Sequence, residues 1–166
     1  MPAVTPAEVP RISQITLRTN QFNLTTTRLL QADVQRLVDG PDTTMLGIHA
    51  GDRFGDNGLV GAVFLRRDGD TVHVDNFLLS CRVFSRGIEQ ACLASVLRWA
   101  KDTGAARVVA AHRRSAKNGA VRDFYPANGF RTIALDGELA TFLHRLDPIA
   151  PPPAHVDLTE DFGAST

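Results

Sequence analysis

The side chains with the clearest chemical potential lie between residues 71 and 92. Cys81 and Cys92 are the only cysteines, and a thiolate is a strong nucleophile that can hold an acyl group. His73 and Asp75 stand two apart in a segment of strand character, so regular alternation places both on one face, where they could relay a proton. Cys81 could instead be a small packed thiol, and the pair could be polar residues of an exposed strand edge. Cys92 lies in a helical pattern and is expected in the core.

A second group of residues suits an anion. Residues 71–80 continue through a turn containing Gly87 into a helix, and the N–H groups at a helix start attract anions. Two stretches also carry basic residues without any acid, which serves a phosphate-bearing ligand or is simply solvated surface. These residues are Arg11, Arg18 and Arg28 in the first stretch, and His112, Arg113, Arg114, Lys117 and Arg122 in the second.

Hydrophobic periodicity and turn signals predict the elements that must position these residues. Helices are predicted over 12–18, 34–38, 86–103 and 118–128, and strands over 24–28, 44–50, 59–66, 71–80, 107–111, 130–135 and 140–146. A long turn is expected over 51–58. The order β α βββ α β α β β indicates a mixed α/β (α+β) fold, with helices packed on a largely antiparallel sheet.

Composition excludes several classes of protein. The 166 residues are 43% hydrophobic and 22% charged with zero net charge, as in a single globular domain and unlike a disordered chain or a general nucleic-acid binder. No apolar run approaches the length of about 20 residues that a membrane helix needs. Two cysteines exclude a disulfide scaffold, and His49, His144 and His155 lack metal-ligand spacing, so we expect no metal.

Prolines mark both ends of the chain. Pro2, Pro6 and Pro10 predict a flexible lead-in over 1–10, followed by a domain over 11–147. Prolines and acids predict a disordered tail over 148–166. The amino end lacks the basic region and apolar core of a secretion signal, which favours a cytoplasmic protein with free thiols.

The strand, the turn with Gly87 and a second helical segment together resemble the GNAT superfamily of acyltransferases. Members show Asn, then Tyr seven residues on, then Gly-Phe, and Asn118, Tyr125, Gly129 and Phe130 have this spacing. The resemblance covers about residues 22–146 and implies a mixed, largely antiparallel sheet with helices on both faces.

The phosphate loop departs from the superfamily pattern, Gln/Arg-x-x-Gly-x-Gly/Ala. Aligned on Gly87, the first position is Phe84 and the last is Glu89. A carboxylate at this point repels a diphosphate, although it is also an ordinary first-turn acid. These departures suit a carrier-protein thioester, because phosphopantetheine carries one phosphate and no adenosine diphosphate.

Four separated blocks are similar to the carboxyl-terminal half of FkbH-like proteins, which join a phosphatase-like domain to a GNAT-like domain. The blocks are Thr19–Thr26, Asp52–Gly61, Phe77–Val83 and Ala116–Asn118. FkbH-like proteins help to load glyceryl units onto acyl carrier proteins for polyketide assembly. The resemblance implies an acyl carrier protein as partner and a separate phosphatase-like domain, whether the chain is a stand-alone relative or an excised domain.

The superfamily resemblance also implies roles for single residues. A thioester arm lies beside the strand 71–80, and a backbone N–H near Leu79 meets the developing oxyanion. Asp75 stands where a carboxylate base is often found, and Tyr125 is the general acid for the leaving thiolate, since a phenol of pKa ~10 stays protonated beside a thiol of pKa ~8.5. The implied cofactor-binding residues are Leu79, Ser85, Arg86, Gly87, Ile88 and Asn118.

Three functions are compatible with these residues. The leading one is an acyltransferase that uses a thioester of coenzyme A or of carrier-protein phosphopantetheine in polyketide or other secondary metabolism. The second is an N-acetyltransferase that acts on a small amine. The third is a non-catalytic module that docks an acyl carrier protein. Nucleic-acid and membrane partners are not expected.

Overall fold

A seven-stranded sheet forms the framework of the chain in the computed structural model, which describes residues 1–162. Its strands are β1 (Phe22–Asn23), β2 (Thr43–Asp52), β3 (Gly55–Asp68), β4 (Thr71–Leu79), β5 (Arg107–Arg113), β6 (Arg131–Asp136) and β7 (Leu139–His144). Its α-helices are α1 (Val9–Arg18), α2 (Gln31–Val38), α3 (Ile88–Asp102) and α4 (Phe124–Ala127), and short 3-10 helices span Pro6–Glu8 and Gly119–Val121.

The strand order is β2-β3-β4-β5-β7-β6, with β1 beside β4. Every pair is antiparallel except β4–β5, which is parallel. The connection from β4 to β5 passes through α3, as a parallel pair requires. The predicted mixed α/β fold with a largely antiparallel sheet is therefore confirmed.

The side chains of β3 contribute to a buried core on each face of the sheet. Val60, Val63 and Leu65 join one buried cluster together with residues of α3 and α4. Leu59, Ala62 and Phe64 join the other cluster, which also contains apolar residues of α1 and α2. Helices thus cover both faces.

Three predicted elements differ from the observed ones. The strand expected over 24–28 lies earlier, at Phe22–Asn23, because the threonines that favour a strand instead form a local turn in which Thr26 has a φ of 57°. The turn expected over 51–58 is taken up largely by the ends of β2 and β3. The helix expected over 118–128 is broken into a 3-10 turn and α4.

Both ends of the described chain, where a flexible lead-in and a disordered tail are predicted, contain residues that contact the domain. The Val4 amide donates to the Met45 carbonyl at 2.8 Å, which ties residues 2–4 to β2. Phe162 stacks on Trp99 with ring centroids 5.3 Å apart. Apolar residues near each end cover the core, so folding buries them. The last four residues of the predicted tail, 163–166, lie outside the described residues.

No helix within residues 1–162 is long and apolar enough to cross a membrane.

Candidate active site

An open cleft of about 550 Å³ lies at the carboxyl end of β4. Helix α1, residues 19–22, residues 79–82 and Lys117 form its walls. This volume is within the usual range for small-molecule sites, about 300–1,000 Å³.

Four cations line the cleft, namely Arg11, Arg18, Arg82 and Lys117, and no Asp or Glu does. Arg11 donates to the Leu59 carbonyl at 3.4 Å and to the Gln14 side chain. The side chains of the other three form no hydrogen bond or ion pair with any described residue. The cleft therefore offers a concentrated positive potential to an anionic ligand.

The cleft also contains an accessible thiol. Cys81 is exposed and lies on the wall just beyond the end of β4, whereas Cys92 is buried in α3. Burial raises the pKa of the Cys92 thiol to about 12, so that thiol stays protonated and unreactive. The expectation that Cys92 belongs to the core is confirmed.

The edge of β4 that faces β5 is occupied by the chain itself. β4 and β5 pair only from Thr71 to Val74, after which the two strands separate. Beyond that point Leu78 and Leu79 pair with Asn23 and Phe22 of β1. β1 thus lies along the edge of Leu79 where the resemblance places the thioester arm, and the binding role of Leu79 stays a prediction.

Asn118 holds this inserted segment. It is fully buried, and its side-chain amide donates to the Arg113 carbonyl at 2.8 Å and to the Asn23 carbonyl at 3.3 Å. The side chain thus joins β5 to β1. These hydrogen bonds account for the burial of Asn118, and its role in cofactor binding stays a prediction.

The predicted phosphate loop is covered by the tail. Gly87 precedes α3 with a φ of 85°, and Ser85 also has a positive φ, of 69°. A Cβ at Gly87 would stand 3.1 Å from Nε2 of His155 and 3.1 Å from Cγ of Pro153. The same His155 nitrogen lies 2.7 Å from the Arg86 carbonyl oxygen. The start of α3 therefore faces the tail at this point.

The residues next to Gly87 do not add an exposed binding site for an anion. Ile88 packs against the core, and the Arg86 side chain lies 3.5 Å from the carboxylate of Asp52. Glu89 is buried, and its Oε2 has no hydrogen-bond partner within residues 1–162.

His73 and Asp75 both lie near Arg66 without a hydrogen bond between them among the described residues, and their role as a proton relay stays a prediction. Asp75 is exposed and accepts two hydrogen bonds from Arg66, at 2.9 and 3.1 Å. Burial, and then the charge of Arg66, lower the pKa of His73. Neither side chain lines the cleft.

β4 contains a bulge at this point, and His73 and Asp75 both lie beside Arg66. Leu65 pairs with Val74 and Phe64 pairs with Asn76, so Asp75 has no partner across β3. Val74 and Phe77 both join the same core cluster although they are three residues apart, since the extra residue shifts the alternation by one.

Tyr125 is buried inside an aromatic cluster, with an exposed fraction of 1%. Its ring contacts Phe124, Phe130 and Phe142 at centroid distances of 5.4, 5.0 and 5.6 Å. Burial raises the pKa of the phenol, and the hydroxyl has no hydrogen-bond partner among the described residues. Tyr125 does not line the cleft, and its role as general acid stays a prediction.

The basic stretch from His112 to Arg122 is divided by the fold. Lys117 alone reaches the cleft, where it meets Arg11 and Arg18 of the other acid-free stretch. Arg114 and Arg122 line a different pocket beside His112, and Arg122 lies 3.2 Å from the Asp123 carboxylate. Burial lowers the pKa of His112.

Sequence reasoning did not single out the residues that close the gap beside β4. Asn23 and Asn76 are buried, with exposed fractions of 1% each, and their side chains bond to each other at 3.0 Å. Arg82 was also missed. A buried asparagine is not marked by any periodic pattern in the sequence. Its hydrogen-bond partners are distant along the chain, so local patterns do not identify it.

The described residues bring no three His, Cys, Asp or Glu side chains together in an arrangement that could hold a metal ion.

No protein-family model matches the chain, and no curated protein matches it in sequence. Solved structures do share its fold. An acetyltransferase of the GNAT family from Desulfovibrio desulfuricans has 18% identity and a TM-score of 0.68, covering 86% of this chain and 95% of that one. The ribosomal-protein-S18-alanine N-acetyltransferase of Escherichia coli has 14% identity and a TM-score of 0.66, with coverages of 94% and 97%.

A third structure is the PaiA N-acetyltransferase of Thermoplasma acidophilum in complex with coenzyme A. It has 19% identity and a TM-score of 0.57, and the match covers 69% of this chain and 68% of that one. At these identities the likeness concerns the fold, which is that of the GNAT acetyltransferases.

Proposed function

We propose that this chain is an acyltransferase that takes an acyl group from a phosphopantetheine thioester, with the Cys81 thiol as the first acceptor. The observation that carries the proposal is the cleft at the end of β4, where an exposed thiol shares the walls with four cations and no carboxylate. The GNAT fold supports acyl transfer as the reaction class, since its structural relatives include N-acetyltransferases and one is in complex with coenzyme A.

The composition of the cleft favours a thiol nucleophile over a hydroxyl or an amine. No His, Asp or Glu lines it to act as a general base. A cysteine thiol needs the least assistance of the common nucleophiles, because a few per cent of it is already thiolate near neutral pH. The thiol loses its proton as its sulfur bonds to the acyl carbon, and the phosphopantetheine sulfur leaves and takes up a proton.

The anionic part of the donor suits the cations. One phosphate of a phosphopantetheine arm can be bound by Arg18, Arg82 and Lys117, whose side chains have no partner in the described chain. Hydrogen bonds to charged groups are among the stronger ones in proteins. Phe84, Glu89 and the tail over Gly87 disfavour the diphosphate of coenzyme A at the start of α3.

An acyl carrier protein is therefore the proposed donor, in polyketide or related secondary metabolism. The four blocks similar to FkbH-like proteins support this assignment, and the cations suit an acidic carrier. The four blocks also support a separate phosphatase-like domain as a partner.

A second candidate is a non-catalytic module that docks an acyl carrier protein. The filled gap beside β4 favours it, because the backbone edge expected to hold a thioester is already paired. An N-acetyltransferase of a small amine has less support, since no base lines the cleft.

Intact mass spectrometry tests the proposal. The protein is mixed with an acylated carrier protein or, separately, with acetyl-coenzyme A. We expect a covalent acyl adduct from the carrier, its loss in Cys81→Ser, and its retention in the matched control Cys92→Ser, whose thiol is buried.

A complex with the carrier that forms without any adduct would favour the docking module. An adduct from acetyl-coenzyme A alone would overturn the assignment of the donor, and an adduct that persists in Cys81→Ser would overturn the assignment of the acceptor.

A further inference from the structure

We infer that residues 22–24 permanently occupy the gap between β4 and β5, so that coenzyme A does not pair with β4. The resemblance places a thioester arm in this gap, and the described residues leave no backbone edge for it. The inference does not require acylation of Cys81 and therefore stands apart from the proposed function.

Backbone pairing accounts for both sides of the end of β4. Leu78 and Leu79 pair with Ala62 and Gly61 of β3 on one side and with Asn23 and Phe22 on the other. A ligand that bonded to this edge would have to displace β1.

The inserted segment also reaches across to β5. The Leu24 amide donates to the Phe77 carbonyl at 3.1 Å, and the Leu24 carbonyl accepts from the Arg113 amide at 2.7 Å. One residue thus bridges the two strands where they separate. The segment completes the sheet, and buried backbone groups that a gap would leave unpaired are satisfied.

Three buried asparagines, Asn23, Asn76 and Asn118, hold the segment in place. Asn76 donates to Oδ1 of Asn23 at 3.0 Å, and its own Oδ1 accepts from the Thr25 amide at 3.1 Å. Asn118 bonds to the Asn23 carbonyl from the side of β5. Breaking this network leaves buried polar groups without partners, which opposes displacement of the segment.

Apolar packing also holds residues 22–24 in place. Phe22 is fully buried and its ring lies 5.0 Å from that of Phe77 and 5.1 Å from that of Phe124, in edge-to-face geometry. Leu24 is fully buried as well. Displacing residues 22–24 would return both side chains to water, and a hydrophilic arm offers no equivalent apolar surface.

Amide hydrogen exchange, followed by NMR, tests the inference on the wild-type protein. Exchange of the Leu24 and Arg113 amides is measured without ligand and with millimolar coenzyme A, together with control amides of the β2–β3 pair. We expect the two amides to exchange at unchanged rates, within about twofold. This holds whether coenzyme A fails to bind or binds through its phosphates at the cationic cleft.

Faster exchange of both amides by tenfold or more on addition of coenzyme A, with the control amides unchanged, would overturn the inference. A second measurement uses Asn23→Gly, which removes the side chain that links the segment to Asn76. We expect the Leu24 amide of this variant to exchange at least tenfold faster than in wild type. An unchanged exchange rate would refute the role of the buried asparagines in holding residues 22–24 in place.

Discussion

The filled gap beside β4 and the open cleft next to it are built from overlapping stretches of chain, yet they are opposite in character. In the gap, Phe22 and Leu24 are fully buried and the amides of Asn23 and Asn76 are paired. In the cleft, the side chains of Arg18, Arg82 and Lys117 project without partners within residues 1–162.

This difference separates residues that the fold needs from residues that it does not. A buried amide must be paired, because an unsatisfied one costs about 1–3 kcal/mol. Exposed cations remain hydrated and contribute little to folding, so their concentration in one cleft requires another explanation. Ligand binding provides one, which favours the cleft over the gap beside β4 as the functional site.

Asn76→Ala tests the structural side of the comparison and should have the largest effect. The change leaves Oδ1 of Asn23 and the Thr25 and Phe77 amides without their partner in a buried site. We expect the free energy of unfolding, measured by urea denaturation, to fall by about 2–4 kcal/mol. Asn57→Ala, at an exposed position, is the control and should change it by less than about 0.5 kcal/mol. Equal changes in the free energy of unfolding in the two variants would contradict the role of Asn76 in holding residues 22–24 in place.

Charge reversal tests the ligand-binding side. In the double variant Arg18→Glu, Lys117→Glu, two exposed cations of the cleft become acids. We expect affinity for the acyl carrier protein, measured by calorimetry, to fall by about 10- to 100-fold, because each charged contact contributes on the order of 1.4 kcal/mol. Stability should change little. Arg131→Glu, on β6 and away from the cleft, should bind normally.

The same interaction should weaken with salt, because the Debye length shortens from about 10 Å at 0.1 M to about 3 Å at 1 M. If affinity is the same at both salt concentrations, the cleft cations do not contact the carrier.

Tyr125→Phe should have the smallest effect and decides where the chemistry occurs. The hydroxyl has no partner among the described residues, so its removal should leave the free energy of unfolding unchanged or raise it by about 1 kcal/mol. If the reaction takes place at Cys81, the rate of acylation of this variant should stay within about twofold of the wild-type rate. A general acid contributes at least about 100-fold to the rate. A fall of about 30-fold or more in the rate of acylation would therefore indicate that the reaction takes place in the gap beside β4.

Local patterns in the sequence were sufficient for most of the elements and for the fold class. Periodic apolar residues placed α1, α2 and α3 to within a few residues. The acid-free stretches containing Arg18 and Lys117 were visible as well, and the structure brings both residues to one cleft. Short-range signals of this kind need no knowledge of distant partners.

Tertiary structure alone decided which edge of β4 is available and which charges meet. Asn23 bonds to Asn76 at a separation of 53 residues, and Asn118 reaches Asn23 at a separation of 95. Arg66 of β3 holds the Asp75 carboxylate beside His73, and the tail returns to cover Gly87. The sequence determined the local conformations and the supply of charged and polar groups, whereas their pairing was settled by long-range packing, because burial forces each polar group to find whichever partner the fold brings within reach.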